Sequence, residues 1–310
     1  MEILFKFVLF IAGILLLYYG ADYLVKGAAN IARILGIKPI VVGLTVVAFG
    51  TSMPEFLVGL QAAIRGENDI AVGNIVGSNI ANIALILGIS AVISPLVINF
   101  KSIKKELIFL LISSLVFCGV IYNGTNLIIG IIFILIMVVF IVYLILHPGV
   151  APIKEELPES DNSIPKNIIF VIVGGVGLVF GSRFLIDSAV FFARIFEVPE
   201  IVIGMTIVAI GTSLPELAAS VVASVKKQSD ISIGNIIGSN VFNMFFVIGG
   251  VSLIKDINVN KLIYSFEIPI MLLLIALLFP MIAKDNGLKR TSGVIFLIIY
   301  ASFNFYLFYR

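Results

Sequence analysis

Gly50-Thr51-Ser52-Met53-Pro54-Glu55 returns as Gly211-Thr212-Ser213-Leu214-Pro215-Glu216, 161 residues downstream. Gly73-Asn74-Ile75-Val76-Gly77-Ser78-Asn79 returns at the same offset as Gly234-Asn235-Ile236-Ile237-Gly238-Ser239-Asn240. The register holds without a gap from Gly20/Gly181 through Asn82/Asn243 to Gly88/Gly249. Each copy sets a carboxylate, hydroxyls and a Pro/Gly break inside a run otherwise suited to lipid. Polar residues in apolar helices are costly, so a doubled polar cluster predicts one composite site with two halves.

The residues around the repeat fix the class. The chain is 60% hydrophobic and 12% charged, with a mean hydropathy of +1.19, far outside the soluble range. A helix needs about 20 apolar residues to cross a bilayer. Runs of that kind are expected near 3–24, 39–64, 71–96, 106–122, 125–147, 167–189, 200–224, 231–254, 262–283 and 291–309. The expected fold class is therefore an all-α polytopic membrane protein of about ten transmembrane helices, with the lipid bilayer as its partner. The first run lacks an Ala-x-Ala-like cleavage site and passes straight into Tyr18-Tyr19-Gly20-Ala21-Asp22, so it reads as a retained helix. Net charge is +2 with scattered basic residues, which gives no footprint for nucleic acid. Cys118 is the single cysteine and excludes an intramolecular disulfide. His147, the single histidine, sits beside Pro148 at a helix end, a poor place for a metal or a triad.

From His147 to Lys166 the chain is polar, with four prolines and the carboxylates Glu155, Glu156, Glu159 and Asp161. Such a segment cannot bury a core and reads as a linker. It divides the chain into a first five-helix repeat at 1–147, a cytoplasmic linker at 148–166 and a second five-helix repeat at 167–310. The repeated motifs occupy about 43–88 and 204–249. An odd number of spans per half makes the second copy enter the membrane from the opposite side, so the repeats are expected to be inverted. Thirteen of the 20 basic residues fall on one set of loops, which places both termini outside.

Glu55 and Glu216 are the carboxylates expected near mid-membrane, and no Lys or Arg is placed there to pair with them. Either both are protonated structural residues or they share a cation, and the shared cation is the reading expected. Thr51, Ser52, Thr212, Ser213, Ser78, Ser239, Asn82 and Asn243 add neutral oxygen and amide ligands. An oxygen-only set suits hard cations such as Ca²⁺ and Na⁺ over zinc or copper. Pro54 and Gly50 are expected to break the helix and free backbone carbonyls at Ala48 and Phe49, with Ala209 and Ile210 as their counterparts. Ser78 and Asn82 lie one turn apart on one face, as do Ser239 and Asn243. Two carboxylates supply a charge of −2, which one Ca²⁺ or two Na⁺ neutralise, and a third Na⁺ would make exchange electrogenic.

The two segments resemble the alpha repeats of the Ca²⁺/cation antiporter superfamily, and among them the archaeal and bacterial sodium/calcium exchangers. The motifs G-[TS]-S-x-P-E and G-N-x-x-G-S-N-x-x-N carry the likeness. It implies that Glu55 and Glu216 are the central acidic ligands and that Thr51 and Thr212 contribute to Ca²⁺ or outer-site ligation. It further implies that Ser52, Ser213, Ser78 and Ser239 serve Na⁺ sites, completed by the carbonyls of Ala48 and Ala209. Some family members carry Asp where this chain has Asn243, and the missing carboxylate argues against potassium dependence. The expected function is a secondary antiporter exchanging Na⁺ for Ca²⁺ by alternating access, without a cofactor. A proton/Ca²⁺ antiporter on the same scaffold is the alternative. A channel would use the carboxylates as a filter, against which the paired mid-membrane site favours a carrier. An intramembrane enzyme would need a mid-membrane His or Asp, and the sequence places neither there. The oligomeric state is open, with a monomer sufficient.

Overall fold

The computed structural model describes residues 1–147, 163–198 and 209–309. Nearly all of the expected linker falls outside these residues, as does the opening of the span expected near 200–224. The first half comprises α1 (Glu2–Leu35), α2 (Pro39–Thr51), α3 (Met53–Arg65), α4 (Asn68–Ile93), α5 (Phe100–Ile121) and α6 (Leu127–Leu146). The second comprises α7 (Ile164–Ile195), a short turn Ala209–Gly211, α8 (Leu214–Val225), α9 (Ser229–Ser252), α10 (Glu267–Asp285) and α11 (Arg290–Tyr309).

Local chemistry sets many of these ends. Gly36 takes a left-handed conformation (φ 65°) that closes α1 onto the carbonyls of Ala32 and Arg33, and Gly66 (φ 78°) closes α3 in the same way. Asn99 caps α5 by accepting from the Lys101 N–H, and Asn126 caps α6 by accepting from that of Ile129. Among the described residues, seven helical stretches are long and apolar enough to cross a bilayer, and α2 and α3, bent by 44°, are so as a pair. Helix α5 has 22 residues, roughly 33 Å of helix, with Lys101, Lys104, Lys105 and Glu106 in its first two turns. Helix α8 is what the described residues hold of the span expected near 200–224.

The helices α1 and α7 run to 34 and 32 residues, well beyond the expected 3–24 and 167–189. The reason is a continuous seam between them. A Cβ on Gly13 would stand 2.9 Å from the Gly181 carbonyl oxygen, one on Gly20 2.9 Å from that of Gly174, and one on Gly27 2.7 Å from that of Asn167. Partner numbers fall as α1 numbers rise, so the two helices are antiparallel. Bare glycine lets the backbones touch, which is how helices associate where lipid removes the hydrophobic drive. The seam ends in a buried amide pair, Asn30 Nδ2 donating to Asn167 Oδ1 at 2.9 Å.

The centre of the bundle is α4 and α9, whose most apolar windows are 78% and 94% buried, against 17–33% for the other single-helix spans. Each is interrupted by a widened π-helical turn, Asn82–Leu87 in α4 and Asn243–Val247 in α9. Backbone contact holds them too: Gly234 packs on the Ile40 carbonyl oxygen, Gly88 meets Gly293 and Gly130 meets Gly249. Two small staples close the loops at either end of α10. Leu96–Val97 pairs antiparallel with Gly287–Leu288, and Thr125 pairs with Ile257. Cys118 is buried within α5, and its carbonyl oxygen accepts from the Tyr264 hydroxyl.

Candidate functional site

The Pro/Gly segments produce the break expected of them, and in both copies it falls on the serine. Ser52 sits at φ −80°, ψ 4° and Ser213 at φ −88°, ψ 7°, between the regular helical and extended regions. Pro54 and Pro215 then stand in the first turn of α3 and α8, where a helix does not use the missing N–H. Glu55 and Glu216 fall in the same first turns. There the unpaired N–H groups of the helix start give a favourable potential for a carboxylate.

The two halves meet at these carboxylates, which are 1% and 0% exposed. Ser52 Oγ donates across to Glu216 Oε1 at 3.3 Å, and Ser213 Oγ donates back to Glu55 Oε1 at 3.3 Å. Ser78 Oγ adds a bond to Glu55 Oε1 at 3.4 Å, and Ser213 also lies 3.3 Å from Ser78 Oγ. Thr51 and Ser239 hydroxyls are 3.3 Å apart. A second exchange joins the central helices: Asn82 Nδ2 donates to Asn240 Oδ1 at 2.9 Å, and Asn243 Nδ2 donates to Asn79 Oδ1 at 3.0 Å. Each π-helical turn starts at one of these donors, and such turns favour functional sites.

What the network leaves over is as ordered as what it joins. Glu55 Oε2, Glu216 Oε2, Asn82 Oδ1 and Asn243 Oδ1 are buried and accept no hydrogen bond from the described residues. These are two pairs of oxygens related by the 161-residue offset. Buried polar atoms in proteins almost always have partners, so four idle acceptors in one place call for a ligand that binds oxygen. Two carboxylate and two amide oxygens form a hard donor set, fitted to Ca²⁺ or Na⁺.

Ten of the twelve residues singled out from sequence are thus side chains of this buried cluster or its wall, with Thr212 Oγ1 buried and unpartnered. The two alanines differ. The Ala48 carbonyl oxygen accepts from Ser52 N at 3.0 Å, with Thr51 Oγ1 3.3 Å away, so the kink does not leave it idle as expected. Ala209 opens the short turn before α8. Sequence reasoning quoted Asn79, Asn240, Asn74 and Asn235 but gave them no role. Their unbroken repetition in both copies was the available signal.

The chain matches the family described as "Sodium/calcium exchanger protein" over residues 5–146 and 166–309. It belongs to the sodium/calcium exchanger family. It is 35% identical to the inner membrane protein YrbG of Escherichia coli, over 92% of this chain and 91% of that one. It is 30% identical to the sodium/calcium exchanger MaX1 of Methanosarcina acetivorans, over 98% and 99% of the two chains. Among solved structures, the sodium-calcium exchanger NCX_Mj, soaked with 10 mM Na⁺ and no Ca²⁺, superposes with a TM-score of 0.85 at 30% identity, covering 96% of this chain and 97% of that one. This family member is accordingly a multi-pass membrane transporter and not an enzyme.

Proposed function

We propose that the chain is a secondary antiporter that exchanges Na⁺ for Ca²⁺, the ions competing for one site centred on Glu55 and Glu216. The observation that carries this reading is the reciprocal wiring of the two carboxylates with four idle oxygens between the halves. Two negative charges are neutralised by one Ca²⁺ or two Na⁺, so the two loads exclude one another. Competition of that kind is a coupling mechanism in itself. Thr51, Thr212, Ser52, Ser213, Ser78 and Ser239 are the neutral oxygens placed to serve Na⁺, and Asn82 and Asn243 close the centre.

The same reading takes the chain as ten spans in two inverted five-helix repeats, 1–147 and 167–310, joined by a cytoplasmic linker at 148–166 with both termini outside. The antiparallel seam of α1 and α7 supports it, since these are the first helices of the two halves. An inverted pair around a mid-membrane site is suited to alternating access. A monomer holds both halves of the site.

The test is ⁴⁵Ca²⁺ uptake into proteoliposomes of the purified protein, driven in separate arms by a Na⁺ gradient and by a pH gradient. Uptake driven by Na⁺ at clamped pH is expected. Full-rate uptake from a pH gradient in Na⁺-free medium would replace this reading with proton coupling through the same carboxylates.

A further inference from the structure

The two copies part company one turn beyond the carboxylates. Ser220, Ser224 and Ser232 in the second copy stand where the first has Gly59, Ala63 and Ala71. All three serines are at most 1% exposed. They form one hydrogen-bonded group: Ser224 Oγ donates to the Ser220 carbonyl oxygen at 2.7 Å, Ser232 Oγ donates to the same oxygen at 3.0 Å, and Ser224 and Ser232 hydroxyls lie 3.0 Å apart. Ser220 Oγ faces the other way, toward the site, and accepts from Asn235 Nδ2 at 2.9 Å.

Asn235 is the link. Its Nδ2 lies between two acceptors, Ser220 Oγ and the Glu216 carbonyl oxygen at 3.4 Å, which fixes how the amide is turned. With the amino group so engaged, Oδ1 is presented to Thr51 and accepts from its hydroxyl at 3.1 Å. Thr51 has a single hydroxyl proton, and Asn235 Oδ1 at 3.1 Å is a nearer acceptor for it than the Ala48 carbonyl oxygen at 3.3 Å. With the proton on the Asn235 side, a lone pair of Thr51 is left facing Ser239. In the first copy Asn74 Nδ2 donates to the Glu55 carbonyl oxygen at 3.4 Å, but residue 59 has no side chain to offer it a second acceptor. The counterpart of Thr51 there is Thr212, whose buried hydroxyl has no amide partner among the described residues.

We propose that Ser220 is a positioning residue that, through Asn235, pre-orders the Thr51–Ser239 cation site and makes it the tighter of the two neutral-oxygen sites, leaving the Thr212–Ser78 site loose. Ligands already aimed lose less freedom when the ion binds, and partners behind a ligand commonly change metal affinity by about 10–100-fold. The inference rests on the Na⁺-coupled reading above. It adds that the exchanger is built to treat Na⁺ unequally at its two faces, because in the inverted arrangement the sites lie toward opposite ends of the bundle.

The experiment measures half-saturating Na⁺ for ⁴⁵Ca²⁺ flux at each face separately, in oriented vesicles of the full chain. Ser220→Ala is expected to raise it about tenfold at the face of the 226–228 turn and by less than about twofold at the other. Gly59→Ser should do the reverse service for the first copy, lowering half-saturating Na⁺ at the opposite face. An added Cβ there meets only Val247 Cγ1 at 3.5 Å and Val251 Cγ2 at 3.7 Å, which are ordinary contacts. The double variant Ser220→Gly/Gly59→Ser should exchange the two faces. Equal shifts at both faces, or none, would overturn the role of Ser220. Should Ser220→Ala fail to insert, Gly59→Ser decides alone, and an unchanged value at both faces rejects the proposal. A wild-type protein with no Na⁺ dependence at either face would instead overturn the coupling itself.

Discussion

The two copies of the repeat carry the same reactive residues and surround them differently. Around Glu55 the hydroxyls of Ser78 and Ser213 converge on one carboxylate oxygen, while Ser52 donates to Glu216. Thr51 lies within hydrogen-bond distance of Asn235 Oδ1 and Ser239 Oγ, whereas Thr212 Oγ1 has no such amide partner among the described residues. The amide exchange, by contrast, is nearly two-fold symmetric, at 2.9 and 3.0 Å. Symmetry is therefore kept at the carboxylates and amides, where the halves must be interchangeable. It is relaxed in the hydroxyl groups behind them. Equal motifs do not make equal ion sites, because affinity depends on what holds each ligand in place.

The most severe test of that comparison is charge removal. Glu55→Gln and Glu216→Gln keep the shape of the side chain and lose its charge. Loss of one partner of a buried ionic contact is worth about 3–5 kcal/mol, so Ca²⁺ transport should fall by roughly 100-fold or more in both variants. Flux in proteoliposomes, with membrane insertion checked alongside, reads the result. Wild-type rates in either variant would break the shared site.

Packing offers a milder test. Gly20 and Gly181 are equivalents under the 161-residue offset, and a Cβ on either would press on backbone of the opposite helix, at 2.9 Å and 2.8 Å. Gly20→Val and Gly181→Val should each cost about 1–3 kcal/mol or more, lowering the melting temperature in detergent by similar amounts. A large loss in one and none in the other would show that the seam does not weigh equally on its two helices.

The smallest effects are expected at the hydroxyls. Ser78→Ala and Ser239→Ala remove neutral hydroxyl bonds worth about 1 kcal/mol each. Half-saturating Na⁺ should rise by roughly fivefold, with little change in half-saturating Ca²⁺. Equal changes for both ions would assign the serines to structure and leave Na⁺ recognition elsewhere.

Much of this was legible without coordinates because it is local. Hydropathy marks helices through the burial of about 20 successive apolar side chains, and Pro54 and Pro215 mark breaks through an N–H they do not possess. Even there the sequence fell short on α1 and α7. Their extra length comes from the glycine seam between two helices far apart in the chain, and the spacing Gly13, Gly20, Gly27 was the overlooked sign. The freed carbonyl at Ala48 was a misreading of the same kind: a kink exposes an acceptor only until a neighbour such as the Ser52 N–H takes it.

By itself, the amino-acid order determined a helical membrane chain, a doubled cluster of two carboxylates and their hydroxyls, and an oxygen chemistry suited to hard cations. Only the tertiary structure decided which oxygens are spent and which are left. The bonds that do so join residues 158 or 164 positions apart, three either side of the repeat offset, so each half completes the other. No local propensity reaches across that distance. Whether a buried oxygen meets a donor or stays open to an ion is settled by which helices pack together, and here α4 and α9 carry the amide exchange at the centre while α3 and α8 bring the carboxylates beside it.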